Sequence, residues 1–422
     1  MYNKQQILEG SHAIALTIKA IAPAVISAYP ITPQTHIVED LAKFKADGEA
    51  DFEFLRAESE FAAASIVLGA SAAGSRVYTA TSSQGLLLMT EVIYNIAGLR
   101  LPIVMTCANR AVSAPINIWC DQQDAMTVAD AGWIMLFAEN NQEAVEQHIM
   151  AYKIAEKTRL PVMVNVDGFV LTHTYEPVAI SDEKQIKKYL GEYKPKAGQF
   201  LDPANPVSMG LLATPAHYME IRQELHEDLM ASAKMINEEY KKYRKIFKIT
   251  ETEAKLPEAS GSLASGNGLV EYYGSKNPET ILIAAGSVVG TIKDVVDKIN
   301  TKKSPLPPST SSGQAPFYKG GNKVGVLKIK TYRPFPAEDI LKIIKPAKYV
   351  AVIDKAITLG YMGPLAIDVK AAASSASFRA GRLQKIQSFI VGLGGRDITK
   401  EMIGRIIKKV KGKNEGVGFV GK

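Results

Sequence analysis

Residues 28–35 read AYPITPQT and follow directly on the apolar run Ala24 to Ala28. The run has the make-up of a short buried strand. Pro30 and Pro33 lack an N–H and hold φ at about −65°, so a sheet ladder cannot pass through them. They bracket Thr32 in a stiff turn just beyond a strand's carboxyl end, which is where open α/β sheets hold ligands. A Pro-stiffened strand-to-helix turn without chemistry carries the same signature, so the surrounding units must decide. A helix over Thr35 to Phe44, with Ile37, Leu41 and Phe44 on one face, completes a first strand–turn–helix unit.

Downstream the same grammar repeats. Asp51 to Leu55 is a short strand, followed by RAESEFAAASIVLGASAAG (56–74), whose small and aliphatic residues predict a helix buried on most sides. Glu58 and Glu60 stand at its N-terminal end, where a carboxylate either caps the helix or handles protons. RVYTATSS (76–83) is a third strand that breaks at Ser82, Ser83, Gln84 and Gly85 into the helix LLLMTEVIYNIAG. That turn either caps the helix or offers backbone donors to a polar cofactor edge. A fourth strand, Pro102 to Thr106, delivers Arg110, a cation suited to a bidentate grip on a carboxylate. The loop SAPINIWCDQQDAM (113–126) adds Asn117, Trp119, Asp121 and Gln122 as further pocket candidates. In a parallel sheet, Thr32, Glu60, the Ser82 to Gln84 turn and Arg110 converge on one crevice. Residues 5–20 have helical spacing, with Ser11 as cap and His12 at the helix start. The strands WIMLFAE and PVMVNVDGFV around the helix 143–157 close a doubly wound α/β domain over residues 1–175.

Composition bounds the rest. At 422 residues, 46% hydrophobic and 22% charged, the chain has the balance of a globular protein of two or three domains. No run reaches the roughly 18 apolar residues of a membrane span. MYNKQQILEG lacks signal-peptide order, so a cytoplasmic protein without membrane contact is expected. Cys107 and Cys120 are too few for a disulfide framework or an iron–sulfur site built from this chain alone, and the six histidines show no metal-ligand spacing. The net charge of +7 rests on lysines in 183–196, 234–248 and 400–413, which read as solvated helix faces. Without aromatic interleaving or a finger or RNP-like motif, no nucleic acid is expected.

Residues 176–265 read as a crossing segment, irregular through 172–212 with His173 structural, and a long amphipathic helix over 214–248. GSLASGNG (261–268) is a hinge-like break. Residues 266–422 form a second α/β domain, with strands Thr280 to Ala285, Lys323 to Ile329, Tyr349 to Ile353 and Gln387 to Val391. Its helices include Val288 to Ile299 and Ala337 to Ile344. The Pro-, Ser- and Gly-rich 302–322 is a surface insertion where a short loop would serve. GSVVG (286–290), TYRPFP (331–336) and GLGGRD (392–397) read as structural.

The motifs YPITPQT, ESEFAAASIVLGASAAG, TATSSQGLLLMTE, NRAVSAPINIW and CDQQD, in this order, resemble the α subunit of the 2-oxoacid:ferredoxin oxidoreductases, particularly the pyruvate and branched-chain members. The resemblance implies a thiamine diphosphate-binding domain of the pyrimidine-side type and a second domain like the C-terminal domain of transketolase. It implies thiamine diphosphate shared with a partner subunit that holds Mg²⁺ and the diphosphate. It implies [4Fe–4S] clusters in partner subunits only, β-, γ- and δ-type partners, ferredoxin, coenzyme A and a 2-oxoacid substrate. By the same resemblance Glu60 bonds the aminopyrimidine ring, with Pro30, Ile31, Ser82, Ser83 and Gln84 beside the cofactor. Thr32 meets the substrate oxo group, and Arg110 with Asn117 meets its carboxylate. A carboxylate on the ring nitrogen favours the imino tautomer, which is a base. The chain has no GDG followed by Asn and no CxxC, so it is expected to act only with partners. Alternative readings are a branched-chain 2-oxoacid enzyme and a non-catalytic assembly subunit. Intact Glu60 and Arg110 argue against the second, and the retained YPITP argues against the related oxalate enzyme.

Overall fold

The computed structural model describes residues 5–248, 263–300, 323–374, 385–412 and 416–421. The expected insertion 302–322 lies outside the described residues. The chain divides into two compact units, Met1–Lys248 with Thr331–Phe335, and Ile249–Lys330 with Pro336–Lys422. Among the described residues no helix is long and apolar enough to cross a membrane.

In the first unit the elements are β1 (Gln6–Glu9), α1 (Gly10–Ile21), β2 (Val25–Ala28), α2 (Thr35–Ala46), β3 (Glu53–Arg56), α3 (Glu60–Ala72), β4 (Val77–Thr81), α4 (Ser83–Leu88), α5 (Thr90–Gly98) and β5 (Val104–Asn109). They continue with α6 (Gln123–Thr127), β6 (Ile134–Phe137), α7 (Asn141–Thr158), β7 (Val162–Asp167), β8 (Tyr175–Val178), α8 (Glu183–Leu190) and α9 (Pro215–Ile246). The main sheet runs β3-β2-β4-β5-β7-β6, all parallel. Every residue of β4 to β7 is buried. Their lack of apolar–polar alternation is what a parallel sheet covered on both faces demands. From β2 the chain turns outward to β3, and from β4 it turns the other way to β5. The carboxyl ends of these two neighbours are therefore a topological switch point. The YPITP turn follows one of them and the Ser82 to Gln84 turn the other. Within the core, Tyr78 Oη, Thr106 Oγ1 and His148 Nε2 form a buried run at 2.6 and 2.5 Å. Burial pushes His148 down to about 4, so the ring is neutral.

Three expectations are corrected here. Residues 6–9 are a strand, paired antiparallel with β8, and Ser11 lies buried inside α1 instead of capping it. Gly10 makes this packing possible, because a Cβ there would stand 2.0 Å from the Leu171 carbonyl. The stretch 172–212 is more regular than its prolines suggest: it holds β8, and α8 capped by Asp182, which accepts from Lys184 N at 2.9 Å. Pro177 is tolerated because β8 lies in a two-stranded ribbon with no inner strand. Helix α3 buries Ala63, Ala64 and Val67, yet Phe61 is 41% exposed and Ala62, Ile66 and Leu68 are half-buried, so its own chain covers only one face. The lysines of α8 and α9 face outward as expected.

The second unit contains β9 (Leu263–Gly266), β10 (Val270–Gly274), β11 (Thr280–Ala285), α10 (Val288–Asn300), β12 (Val324–Ile329), α11 (Ala337–Ile344), β14 (Tyr349–Asp354), α12 (Pro364–Ala373), β15 (Lys385–Ile390), α13 (Lys400–Lys409) and β16 (Val417–Phe419). The intervening β13 (Thr331–Arg333), from the TYRPFP motif, belongs to the first unit and pairs antiparallel with β6. The second sheet runs β16-β15-β14-β11-β12-β10-β9, parallel through β12 and antiparallel at β10 and β9.

Asp354 ends β14 buried, accepting from Leu365 N at 2.8 Å and Ala366 N at 3.3 Å at the start of α12. Burial pushes its carboxyl from the ordinary 3.8 up to about 7, with the two amide bonds opposing. A raised folded pKa means the native state holds the proton longer. Its stabilising contribution is complete below about pH 4 and is lost as pH rises through about 7. Three pH units correspond to about 4 kcal/mol. In urea titrations, the stability difference between the parent and Asp354→Asn should shift against the parent by up to about that amount from pH 4 to 7. A pH-independent difference would contradict it.

Candidate active site

The turn after β2 is strapped in place by a residue of its own motif. Gln34 is fully buried; its Oε1 accepts from Ile31 N at 3.2 Å and its Nε2 donates to the Ala80 carbonyl at 2.7 Å, on the neighbouring strand. On the other side Pro33 presses on Gly168, where a Cβ would stand 2.6 Å from Pro33 Cγ and 2.5 Å from the Asn109 carbonyl. Thr32 is left exposed at the tip, with Pro30 and Ile31 half-buried before it.

Asp124, at the start of α6, gathers three segments. Its Oδ2 accepts from Ser83 N at 2.9 Å and Arg110 N at 3.0 Å, and its Oδ1 from Asn109 Nδ2 at 3.0 Å and Ala125 N at 2.7 Å. Burial pushes this carboxyl up to about 6, and these donors hold it from rising further. Arg110, buried at the end of β5, donates Nη1 to the Thr32 carbonyl at 2.9 Å and Nε to the Asn117 carbonyl at 3.1 Å. Burial holds its guanidinium below the ordinary value, and Asp124 offsets part of that. Asn117 Oδ1 in turn accepts from Trp119 N at 2.8 Å, and Gln122 Nε2 donates to Asp167 Oδ1 at 3.1 Å. The loop is therefore built around Arg110 and the β7 end. Ser83 donates its Oγ to the Ala111 carbonyl at 2.5 Å.

Glu60 opens α3, whose cap Ser59 accepts from Ala62 N at 3.1 Å. The carboxylate is 7% exposed and has no hydrogen-bond or ion-pair partner among the described residues. It lies on α4: a Cβ on Gly85 would stand 2.7 Å from both Glu60 Cγ and Oε1, and 2.6 Å from Thr81 Oγ1. Thr81 Oγ1 beside it, and Ser82 Oγ on the following residue, are buried without partners among the described residues. Two orphaned buried hydroxyls are costly unless a ligand satisfies them, and the Glu60 carboxylate stands beside them open to one. They fit a flat nitrogen heterocycle that presents both donors and acceptors. Glu58, by contrast, is exposed.

The fold thus links Thr32 to Arg110, Arg110 through Asp124 to Ser83, and the Ser82–Gly85 turn to Glu60. Asp124, Gln34 and Gly168 were not singled out from sequence. Gln34 and Asp124 lie inside the quoted motifs YPITPQT and CDQQD, and Gly168 inside the strand PVMVNVDGFV. None of these positions reveals in sequence which buried N–H groups or side chains face it.

Residues 17–242 match the family described as pyruvate flavodoxin/ferredoxin oxidoreductase, thiamine diphosphate-binding, and residues 317–403 match pyruvate:ferredoxin oxidoreductase core domain II. The chain is 42% identical to pyruvate synthase subunit PorA of Methanocaldococcus jannaschii over 420 residues, 99% of this chain and 97% of that one. It is 43% identical to PorA of Pyrococcus horikoshii over 395 residues (93% and 90% of the two chains). To the ketoisovalerate oxidoreductase subunit VorA of the same organism it is 36% identical over 412 residues (96% and 94%). A solved 2-oxoglutarate:ferredoxin oxidoreductase from Magnetococcus marinus shares the fold, with TM-score 0.63 and 18% identity over 96% of this chain, which spans 65% of that one. From a family match over residues 17–242 and relatives alike from end to end, the chain belongs to the pyruvate flavodoxin/ferredoxin oxidoreductase family and carries its thiamine diphosphate-binding domain.

Proposed function

We propose that this chain is the α subunit of a cytoplasmic pyruvate:ferredoxin oxidoreductase. With its partners it would convert pyruvate and coenzyme A to acetyl-CoA and CO2, passing two electrons to ferredoxin, reversibly. The observation that carries this reading is the buried Glu60 carboxylate with no donor of its own among the described residues. Thiamine diphosphate, when bound, supplies the carbon nucleophile and electron sink that cleavage of a 2-oxoacid requires. Glu60 would hold the aminopyrimidine ring, with Pro30, Ile31 and the Ser82–Gln84 turn along its edge and the Ser82 hydroxyl free to bond. Arg110, already anchoring the Thr32 carbonyl, would turn its remaining N–H groups to the substrate carboxylate beside Asn117. The exposed Thr32 hydroxyl would bond the 2-oxo oxygen. Mg²⁺ and the diphosphate fall to one partner subunit and the [4Fe–4S] clusters to β-, γ- and δ-type partners. The uncovered apolar face of α3 next to Glu60 would be closed by such a subunit.

Pyruvate is favoured over a branched acid by the identities to two proteins of one organism, 43% for the pyruvate synthase subunit against 36% for the ketoisovalerate one. Purification of the native complex without oxygen, followed by coenzyme A-dependent viologen reduction, tests the reading. Pyruvate should exceed 2-oxoisovalerate in kcat/KM by at least about tenfold, the scale on which a pocket separates small aliphatic groups. A complex preferring the branched acid would move the reading to that enzyme. A partnerless, inactive chain would overturn it.

A further inference from the structure

Outside the crevice, a second cluster of chemically competent side chains forms where β1, α2 and the end of the 168–174 loop meet. We propose that Glu9, His36 and His173 are a binding site for one first-row divalent transition-metal ion, Zn²⁺ foremost. One donor atom from each of the three lies within 4.8 Å of the others, and His36 Nδ1 is 2.8 Å from Glu9 Oε1. Zinc binds imidazole nitrogen and carboxylate oxygen at about 2.0–2.2 Å in tetrahedral geometry, so donors sharing an ion lie about 3.3–3.6 Å apart. A side-chain adjustment of about 1–1.5 Å closes the shell around an ion.

The frame that carries the ligands is stiff. Glu9 pairs with Tyr175 across the β1–β8 ribbon, and Gly10 N and Ser11 N donate to the Thr174 and Thr172 carbonyls at 3.2 and 2.9 Å. Glu9 and His173 are therefore held together by backbone. His173 Nδ1 is 2.8 Å from Thr172 Oγ1, a contact that fixes the ring and leaves its other nitrogen for a metal. The ring is also clasped between His36 and Phe169, at centroid distances of 4.6 and 4.7 Å. Two imidazoles and one carboxylate exclude Mg²⁺ and Ca²⁺, which take oxygen shells. With the His36 side chain 46% exposed, the fourth position opens to water. The neighbouring pair His12 and Asp40, at 2.8 Å, joins α1 to α2 but has no third donor among the described residues, so it serves as an internal control.

The test uses the full 422-residue chain, freed of any histidine tag and stripped with a chelator, and titrates Zn²⁺ against a chromophoric competitor. The parent should take up one Zn²⁺ that excess Mg²⁺ does not displace. His36→Asn, His173→Gln and Glu9→Gln should each weaken it by more than the roughly 10–100-fold that loss of a supporting group costs. His12→Asn should bind as the parent does. His36 is exposed on α2, so at least that variant retains the fold. Absence of stoichiometric uptake by the parent, or parental uptake by His36→Asn and His173→Gln together, would overturn the site.

Discussion

Glu60→Gln, assembled with its partner subunits, is expected to fold and assemble as the parent does and to turn over 2-oxoacid about 10²–10⁴-fold more slowly, the usual weight of one acid–base group. The two halves of this expectation have separate causes. Glu60 has no hydrogen-bond or ion-pair partner among the described residues, so the isosteric amide breaks no contact there. The change forgoes a helix-dipole interaction of about 0.3–1 kcal/mol at the first turn of α3 and removes the cost of a buried charge, which opposes it. Turnover falls because a neutral amide cannot shift the proton balance of a ring nitrogen as a carboxylate does. Viologen reduction under saturating thiamine diphosphate, read beside the melting profile of the complex, measures both. Parental turnover would remove Glu60 from the chemistry.

The strands that build the crevice were legible because they are almost wholly buried: VISA, VYTAT, VMTCAN and VMVNVD each open on valine and carry no charge before Asp167, a pattern that amphipathic surface segments do not imitate. Topology alone then places their turns, and with them Thr32, Glu60, the Ser82–Gln84 turn and Arg110, at one end of the sheet. The ribbon of β1 and β8 was not legible, since QILE exposes Ile7 at 65% and carries no alternation that one covered face would impose. Helix α3 misled for the opposite reason. An apolar sequence states that a face will be covered, not by which chain, and here this chain leaves Phe61 exposed and Leu68 half-buried. Asp124 was passed over because its value lies in the four N–H groups aimed at it, and donors converging from β5, the Ser82 turn and α6 exist only after folding. The same holds for Glu9, His36 and His173, which are remote in sequence.

Gly85→Ala separates the position of the Glu60 carboxylate from its presence. Gly85 lies inside α4 with a helical backbone, and alanine there gains up to about 1 kcal/mol of helix propensity. Its Cβ, however, would stand 2.7 Å from Glu60 Cγ and Oε1 and 2.6 Å from Thr81 Oγ1, closer than carbon and oxygen tolerate. Of these neighbours the Glu60 side chain is the one free to swing, since Thr81 belongs to the fully buried β4. The variant should therefore keep a melting temperature within a few degrees of the parent while the carboxylate moves by about 1 Å. A displacement of that size at a reacting group costs about 10²-fold in turnover. The loss should appear in kcat at saturating cofactor, and adding Glu60→Gln to Gly85→Ala should lower turnover by much less than the product of the two single losses, because both act on one group. Full additivity of the two losses, or a Gly85→Ala enzyme as fast as the parent, would place the reacting groups elsewhere than against α4. Loss of folding in Gly85→Ala would instead show that Thr81 and β4, not Glu60, absorb the added methyl group.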